Sequence, residues 1–180
     1  MKKRLYIEKC ILLIATILTF VIIQSRAEQF PIYNLALFDV PGDVNFINLI
    51  VNLDTPEKIC QYMADNFIYE PHLEFSYSPY ETYIIKRADC NDYVTFAIFI
   101  AELHGYKIYQ LWLIMDKEIY GNMNGHMIGI YLKDGIYTFS DCEYYFGLGW
   151  QSIKDILRYV ADWTDYRILD YENKVVDNLK

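Results

Sequence analysis

The chain has 180 residues, of which 54% are hydrophobic and 17% aromatic, and its formal net charge is −8. The length fits a single domain, and this much apolar side chain excludes an intrinsically disordered protein. The negative charge repels phosphate backbones and anionic membrane surfaces, so nucleic acid is excluded as an expected partner.

The first 27 residues have the features of an export signal. Four Lys or Arg residues among the first nine precede an apolar run, 11–23, that no charge interrupts. About 13 apolar residues are too few for a spanning helix of roughly 20 but typical of a signal-peptide core. Ser25 and Ala27 are small residues at positions −3 and −1 of a cleavage site. We therefore predict a signal peptide at 1–27, or alternatively an uncleaved membrane anchor at 10–23. Both interpretations place the rest of the chain outside the cytoplasm, secreted or periplasmic.

The remaining chain, 28–180, is more acidic and holds an odd number of cysteines. Residues 1–27 carry five basic side chains and one acid, so the remainder has 11 Lys or Arg, 23 Asp or Glu and a net charge of −12. Cys60, Cys90 and Cys142 remain, and an odd count in an exported chain leaves at least one thiol free or paired with another molecule. Cys60 and Cys142 could form a disulfide. The chain has no CxxC pair and no His-rich tract, so neither a metal nor a cofactor is predicted.

The first part of this domain is predicted to be an irregular segment followed by a helix. Pro and Gly residues punctuate 28–53, which predicts a stretch without regular structure that wraps the core. The sequence Asp54-Thr55-Pro56-Glu57 combines a capping residue, an early Pro and an early acid, which marks a helix start. The apolar residues that follow at helical spacing are Ile59, Tyr62, Met63 and Phe67. A loop from Glu70 to Pro79 comes next.

The segment RADCNDYVTFAIFIAELHGY, residues 87–106, predicts a central buried helix. Its apolar residues recur at i, i+3, i+4 and i+7, and further aromatic and aliphatic residues widen the apolar face until it nearly surrounds the helix. The helix is expected to end near His104-Gly105, where Gly supplies a left-handed cap. Cys90 therefore lies at or just before the first turn.

After this helix the hydrophobic period changes to that of strands. We predict strands at 107–115, 126–133 and 136–141, the last two joined by a Lys133-Asp134-Gly135 turn suited to a hairpin. A helix at 152–163 and an edge strand at 167–171 complete the chain. Helices followed by an antiparallel sheet indicate an α+β fold in one domain, 28–180.

Cys90, His126 and Asp141 are the candidates for chemistry. Cys90 begins a helix, His126 opens a strand after the Gly-rich segment 121–125, and Asp141 ends the next strand. Because those strands form an antiparallel hairpin, the start of one lies near the end of the other. His126 and Asp141 are therefore expected to be neighbours. Packing of the sheet on the central helix would bring them to Cys90.

This set of residues suits nucleophilic catalysis. A helix N-terminus and an adjacent imidazolium stabilise a thiolate. The imidazole takes the thiol proton and later returns one to the leaving amine, while a carboxylate orients the ring. Backbone N–H groups at the helix start are candidate donors to an oxyanion.

The segments RADCNDYVTFAIFIAELHGY and GHMIGIYLKDGIYTFSD resemble the transglutaminase-like superfamily of papain-type thiol enzymes. The resemblance covers about residues 54–142. It implies a papain-like fold, in which a central helix packs on an antiparallel sheet, with Cys90 as nucleophile, His126 as base and Asp141 as orienting acid. Arg87 matches a basic residue that often precedes the cysteine in this family.

The sequence departs from the family pattern at two places near the cysteine and the histidine. Ala88 stands where Gly is common, and Met127 follows the histidine. Some family members bind calcium through acids beside the cysteine. Here the flanking residues are Asp89 and Asn91, so calcium is not predicted.

The resemblance leaves several functions open. It implies a protein or peptide substrate attacked through a thioester, by hydrolysis (protease or amidase) or by transfer to an amine (crosslinking). A non-catalytic protein-binding domain of the same fold is the alternative. Tyr80 and Tyr83 are candidate substrate-binding or oxyanion residues, whereas His72 and His104 are given structural roles. We expect a monomer.

Overall fold

The computed structural model describes residues 42–72, 76–115, 118, 125–160, 162–170 and 174–176. Its helices are α1 (Val44–Asn52), α2 (Pro56–Asn66), α3 (Pro79–Ile85), α4 (Cys90–Leu103) and α5 (Ile153–Tyr159). Its strands are β1 (Ile68–Tyr69), β2 (Arg87–Ala88), β3 (Lys107–Met115), β4 (Gly125–Lys133), β5 (Ile136–Asp141), β6 (Tyr144–Trp150) and β7 (Trp163–Leu169). These helices and an antiparallel sheet make the fold α+β, as the sequence predicted.

Five strands form one antiparallel sheet in the order β6-β5-β4-β3-β7. Strands β4 and β5 are joined by the predicted tight turn, in which Asp134 and Gly135 both have a left-handed backbone with φ of 53° and 78°. Such a turn matches the natural twist of a hairpin. The turn sets the register of the hairpin, and with it the position of the strand ends at the far side.

The helix α4 is buried almost all round and contacts both β4 and β3. Helices α2 and α3 pack against it in turn. In β3 and β4 the residues 108–111 and 128–131 are buried without interruption. Because successive strand residues point to opposite faces, this burial means that the middle of the sheet is covered on both faces. The N-terminus of α4 is thereby held at the sheet.

Three longer elements were not predicted from the sequence, and neither were the two-residue strands β1 and β2. Helix α1 lies within 28–53, where an irregular segment was expected, and Asp43 caps it by accepting from the Asn45 and Phe46 N–H groups. Helix α3 follows Ser78, which forms a capping box with Glu81. Strand β6, from Tyr144 to Trp150, is the third.

The helix predicted at 152–163 is shorter than expected. It ends at Tyr159 because the Trp163 indole N–H donates to the carbonyls of Leu157 and Val160, both at 3.0 Å. Strand β7 begins at that tryptophan and continues to Leu169, earlier in the chain than the predicted 167–171. It lies at the edge of the sheet, as expected.

The disulfide between Cys60 and Cys142, which the sequence left open, is not formed. Cys60, Cys90 and Cys142 are all free. Cys60 is buried, and its thiol is a hydrogen-bond partner of Ser140, whereas Cys142 lies beside Asp141. Cys60 and Cys142 therefore have different neighbours and do not pair with each other.

The predicted signal peptide or anchor, 1–27, lies outside the described residues, as does most of the Gly-rich segment before His126. Within the described part of the chain, no helix combines the length and the apolar character needed to cross a membrane.

A buried hydroxyl pair joins β4 to β5. The Tyr131 hydroxyl and the Ser140 hydroxyl lie 2.7 Å apart, and both side chains are fully buried. Desolvation raises the pKa of Tyr131 well above its usual value. Gly129 leaves room for this pair, since a Cβ there would lie 3.0 Å from the tyrosine oxygen.

We predict that Tyr131→Phe lowers the free energy of unfolding by about 1–3 kcal/mol, because it leaves the buried Ser140 hydroxyl without this partner. Denaturant titration measures the change. Tyr159→Phe is the matched control: Tyr159 is 52% exposed, and its loss of a hydroxyl should stay within about 0.5 kcal/mol. Equal effects of the two substitutions would contradict the prediction.

Candidate active site

A reciprocal capping box fixes the first turn of α4. The Asp89 carboxylate accepts from the N–H groups of Asn91 and Asp92 at 2.9 and 3.2 Å. In return the Asp92 carboxylate accepts from the Asp89 N–H at 3.0 Å. The two carboxylates thus accept from N–H groups that a helix start would otherwise leave unpaired. Cys90 is therefore the first residue of the helix, as the sequence predicted.

Asp92 also ties the preceding loop to this helix start. Its fully buried carboxylate accepts from the Tyr77 N–H at 2.7 Å and contacts His72 Nε2 at 2.6 Å. Burial raises the pKa of Asp92, against the hydrogen bonds that lower it. The carboxylate thus holds three parts of the chain together directly behind Cys90.

The same residues are those that could hold a metal. The ligand atoms of His72, Asp89 and Asp92 all lie within 4.8 Å of one another. The capping and loop contacts already engage both carboxylates, through N–H groups of the helix start and of Tyr77. The donor set is therefore accounted for as a structural anchor of the helix.

His126 and Asp141 are hydrogen-bonded across the open end of the hairpin. His126 Nε2 lies 2.7 Å from Asp141 Oδ1, and the side chains are 28% and 40% exposed. Burial works against the charged ring, but the hydrogen bonds to Asp141 and Cys90 outweigh it and raise the pKa of His126 to about 10. The ring is therefore held as an imidazolium at neutral pH. The expected neighbourhood of His126 and Asp141 is confirmed.

Cys90 is the second hydrogen-bonding partner of the His126 ring. Because Nε2 faces Asp141, Nδ1 is the nitrogen that remains for the thiol. In the imidazolium Nδ1 carries the proton on the side of the thiol, and after that proton is lost the carboxylate keeps the other proton on Nε2. Helix α4, strand β4 and strand β5 each supply one member of this arrangement.

Cys90 and His126 line a pocket of about 570 Å³. Asn91 lies beside them, and further walls come from the neighbouring strands, among them Trp112 and Arg167. The Trp112 indole lies so close to Gly125 that a Cβ there would be 2.9 Å from its nitrogen. The thiol and the imidazole therefore face one shared pocket.

Few first-turn N–H groups are available to an oxyanion. The Asn91 and Asp92 N–H groups are engaged by the Asp89 carboxylate, and the Tyr93 N–H donates to the Asp89 carbonyl. Cys90 itself supplies the remaining N–H of the first turn, which has no hydrogen-bond partner among the described residues. Of the backbone donors expected at the helix start, the Cys90 N–H is therefore the one that remains available to an oxyanion.

The structure places Tyr80 and Tyr83 away from this pocket. The Tyr80 hydroxyl donates to Asp43 at 3.1 Å, and both rings pack against Phe46 of α1. Neither tyrosine is among the residues that line the pocket. Their predicted role as oxyanion or substrate-binding residues therefore has no geometric support.

The other sequence-derived candidates have structural contacts. Arg87 pairs with Glu70 on the surface, next to the short β1–β2 pair. The ring of His104 lies 2.8 Å from the Ile50 carbonyl, which joins the end of α4 to α1. His72 contacts Asp92, so its predicted structural role fits its position.

Sequence reasoning missed the pocket walls formed by Trp112 and Arg167. In the sheet Trp112 lies directly opposite Met127 on one side and Arg167 on the other. These residues are 15 and 55 positions apart in the chain, and only the strand register brings them together. No short sequence motif predicts that these residues are neighbours.

Comparison with known proteins gives a distant likeness. No protein-family model and no curated protein matches the sequence. Solved structures of LapG from Legionella pneumophila are similar in fold. The EGTA-treated form shares 17% identity over 56% of this chain and 62% of that one, with a TM-score of 0.44. The calcium-bound form shares 16% identity over 58% of this chain and 64% of that one, with a TM-score of 0.43. The chain thus spans less than two thirds of the LapG chains that it matches.

We predict that Asp141→Asn lowers the pKa of His126 by about one to three pH units, because the carboxylate that favours the charged ring is removed. The protein has three histidines, so ring ¹⁵N chemical shifts recorded between pH 5 and 11 can be resolved residue by residue. Asp155→Asn, which removes an acid paired with Arg158, is the control. A His126 titration near 6.5 in the unmodified protein would rule out this electrostatic arrangement.

We predict that Asp92→Ala lowers the free energy of unfolding by about 3 kcal/mol, because three partly buried donors lose their buried acceptor at once. Denaturant titration measures the loss. Asp65→Ala is the control, since Asp65 is exposed on α2 and accepts only from Gln61 within its own helix. An Asp92→Ala protein as stable as the control would show that this carboxylate does not anchor the helix start.

Proposed function

We propose that this protein is a transglutaminase-like cysteine hydrolase that cleaves amide or peptide bonds through a thioester on Cys90. The observation that supports this most directly is the hydrogen-bonded series Cys90–His126–Asp141 at the N-terminus of a buried helix. The series opens into a pocket large enough for a peptide segment. A thiol used only to fill a core has no need of either feature.

The first half-reaction forms the thioester. The Cys90 thiolate attacks the carbonyl carbon of the substrate amide, and the carbonyl oxygen becomes an oxyanion. The carbon–nitrogen bond then breaks as His126 Nδ1 gives its proton to the departing nitrogen, so an amine leaves and the acyl group remains on sulfur. The Cys90 N–H, which the capping contacts leave available, is the backbone donor that we assign to the oxyanion.

The second half-reaction returns the enzyme. His126, now neutral, takes a proton from a water molecule, and the resulting hydroxide adds to the thioester carbon. The carbon–sulfur bond breaks, a carboxylic acid is released, and the thiolate–imidazolium pair is restored. Asp141 keeps Nδ1 facing the reaction in both halves by holding Nε2–H.

We assign the substrate to the class of proteins or peptides and the location to the outside of the cytoplasm, with 1–27 as signal peptide or membrane anchor. Hydrolysis is preferred to transfer because water reaches a half-exposed site without a binding site of its own, whereas an amine acceptor needs one. Asp141 is 40% exposed, which shows that solvent reaches this end of the hairpin.

The proposal predicts that iodoacetamide alkylates Cys90 at pH 5–7 at least about tenfold faster than an ordinary thiol, because the His126 ring stays positively charged there and stabilises the thiolate. His126→Ala should remove most of this advantage. Site-resolved mass spectrometry after short exposures measures each cysteine separately. Cys142 is an internal control: burial raises its pKa, so it should react slowly at every pH tested.

The same instrument identifies the reaction. Incubation with a mixture of peptides and quenching in acid should reveal an acyl adduct on Cys90 that hydroxylamine removes, as expected of a thioester. Cys90→Ser should carry no such adduct. An ordinary thiol titration of Cys90 that His126→Ala leaves unchanged would instead favour a non-catalytic binding domain of the same fold.

A further inference from the structure

A row of side chains crosses three strands beside the reactive thiol. Arg167 on β7, Trp112 on β3 and Met127 on β4 lie directly opposite one another in the sheet. The Arg167 guanidinium carbon is 5.4 Å from the centre of the Trp112 ring. An arginine stacked on an aromatic face in this way keeps its N–H donors free to point sideways. All three residues line the pocket that contains Cys90 and His126.

Arg167 differs from the other arginines in the described part of the chain. Arg87 pairs with Glu70, and Arg158 pairs with Asp155. Arg167 has no carboxylate partner among the described residues, and its guanidinium instead contacts the Trp112 ring. Its donors therefore remain available to a ligand.

Among the described residues that line the pocket there is no acid, although the chain carries 24 Asp or Glu against 16 Lys or Arg. The charge of the His126 ring is paired with Asp141, so Arg167 is the positive group of the described lining that has no carboxylate partner. Such a charge attracts anionic ligands to its side of the pocket.

We propose that Arg167, positioned by Trp112, selects substrates that carry a carboxylate close to the amide that Cys90 attacks. This inference rests on the function proposed above and adds the chemical class of the acyl group: a peptide with Asp, Glu or a terminal carboxylate next to the reacting bond. The guanidinium binds the carboxylate through paired N–H donors, a geometry that a lysine cannot reproduce. Arg167 is a specificity residue and does not take part in proton transfer.

The test compares two alkylating probes that differ only in charge. N-iodoacetyl-glutamate α-amide and N-iodoacetyl-glutamine α-amide have the same shape and the same reactive carbon. In each reaction the Cys90 sulfur bonds to that carbon and iodide leaves. Site-resolved mass spectrometry at pH 7 and low salt gives the ratio of the two rates at Cys90. We expect the glutamate probe to react about three- to tenfold faster.

Substitutions at Arg167 should change the ratio alone. In Arg167→Gln the glutamate advantage should disappear, and the ratio should fall to one or below because the acidic chain repels the anionic probe. Arg167→Lys should give an intermediate ratio. Arg158→Gln is the matched control, an exposed arginine outside the pocket, and should keep the ratio of the unmodified protein. Added salt should reduce the advantage in every variant that has it.

The possible results separate this inference from the function on which it rests. Fast alkylation of Cys90 by both probes at equal rates, or a ratio that Arg167→Gln leaves unchanged, would overturn the role of Arg167 and leave the hydrolase intact. Alkylation of Cys90 no faster than that of a free thiol would overturn the hydrolase. The ratio of the two probe rates can still be measured when both reactions are slow. The absolute rate at Cys90 therefore tests the hydrolase, and the ratio tests the role of Arg167.

Discussion

Three N–H groups, from Tyr77, Asp89 and the ring of His72, converge on the buried carboxylate of Asp92, which lies in the first turn of α4 together with Cys90. A buried acid is tolerated only when its oxygens are satisfied, so this convergence is obligatory once α4 is packed. It determines where the helix begins and which way its first residue faces. The position of the Cys90 thiol is fixed because any shift of the helix start would leave these N–H groups without their acceptor.

The hairpin supplies the second half of the geometry. The tight turn at Asp134-Gly135 sets the register of β4 against β5, and that register carries His126 and Asp141 to the same open end. The two halves meet only because β4 also lies against α4. The fold thus brings one residue from a helix and two from a hairpin into a single hydrogen-bonded series.

Much of this arrangement could be predicted from the sequence. The buried helix after Cys90, the strands of the hairpin and its turn all have strong local signals of period and turn chemistry, and their antiparallel pairing implied that His126 meets Asp141. Other features were missed for physical reasons. Helix α3 has a capping box at Ser78, but its seven residues are too few to show a period. The glycines of β6 weaken its strand pattern, and Gly149 has a left-handed backbone that strands seldom contain.

The residues that tertiary register alone brings together were the hardest to predict. The neighbourhood of Trp112 and Arg167 depends on β7 returning to pair with β3, a long-range event without a sequence motif. The surroundings of Tyr80 and Tyr83 were not predicted for the complementary reason: α1 was not foreseen, and Phe46 on that helix packs against both rings. Local patterns predicted that Cys90, His126 and Asp141 come together, and long-range packing determines which residues surround them.

The location of Arg167 on an outer strand has an evolutionary consequence. In the described part of the chain, β7 pairs with β3 on one side and makes a short bridge to 174–176 on the other, whereas Cys90, His126 and Asp141 belong to α4, β4 and β5. Under the function proposed above, substitutions on β7 would change which acyl group is accepted without changing the residues that break the bond. Duplicated genes could then acquire new substrate preferences through this strand alone.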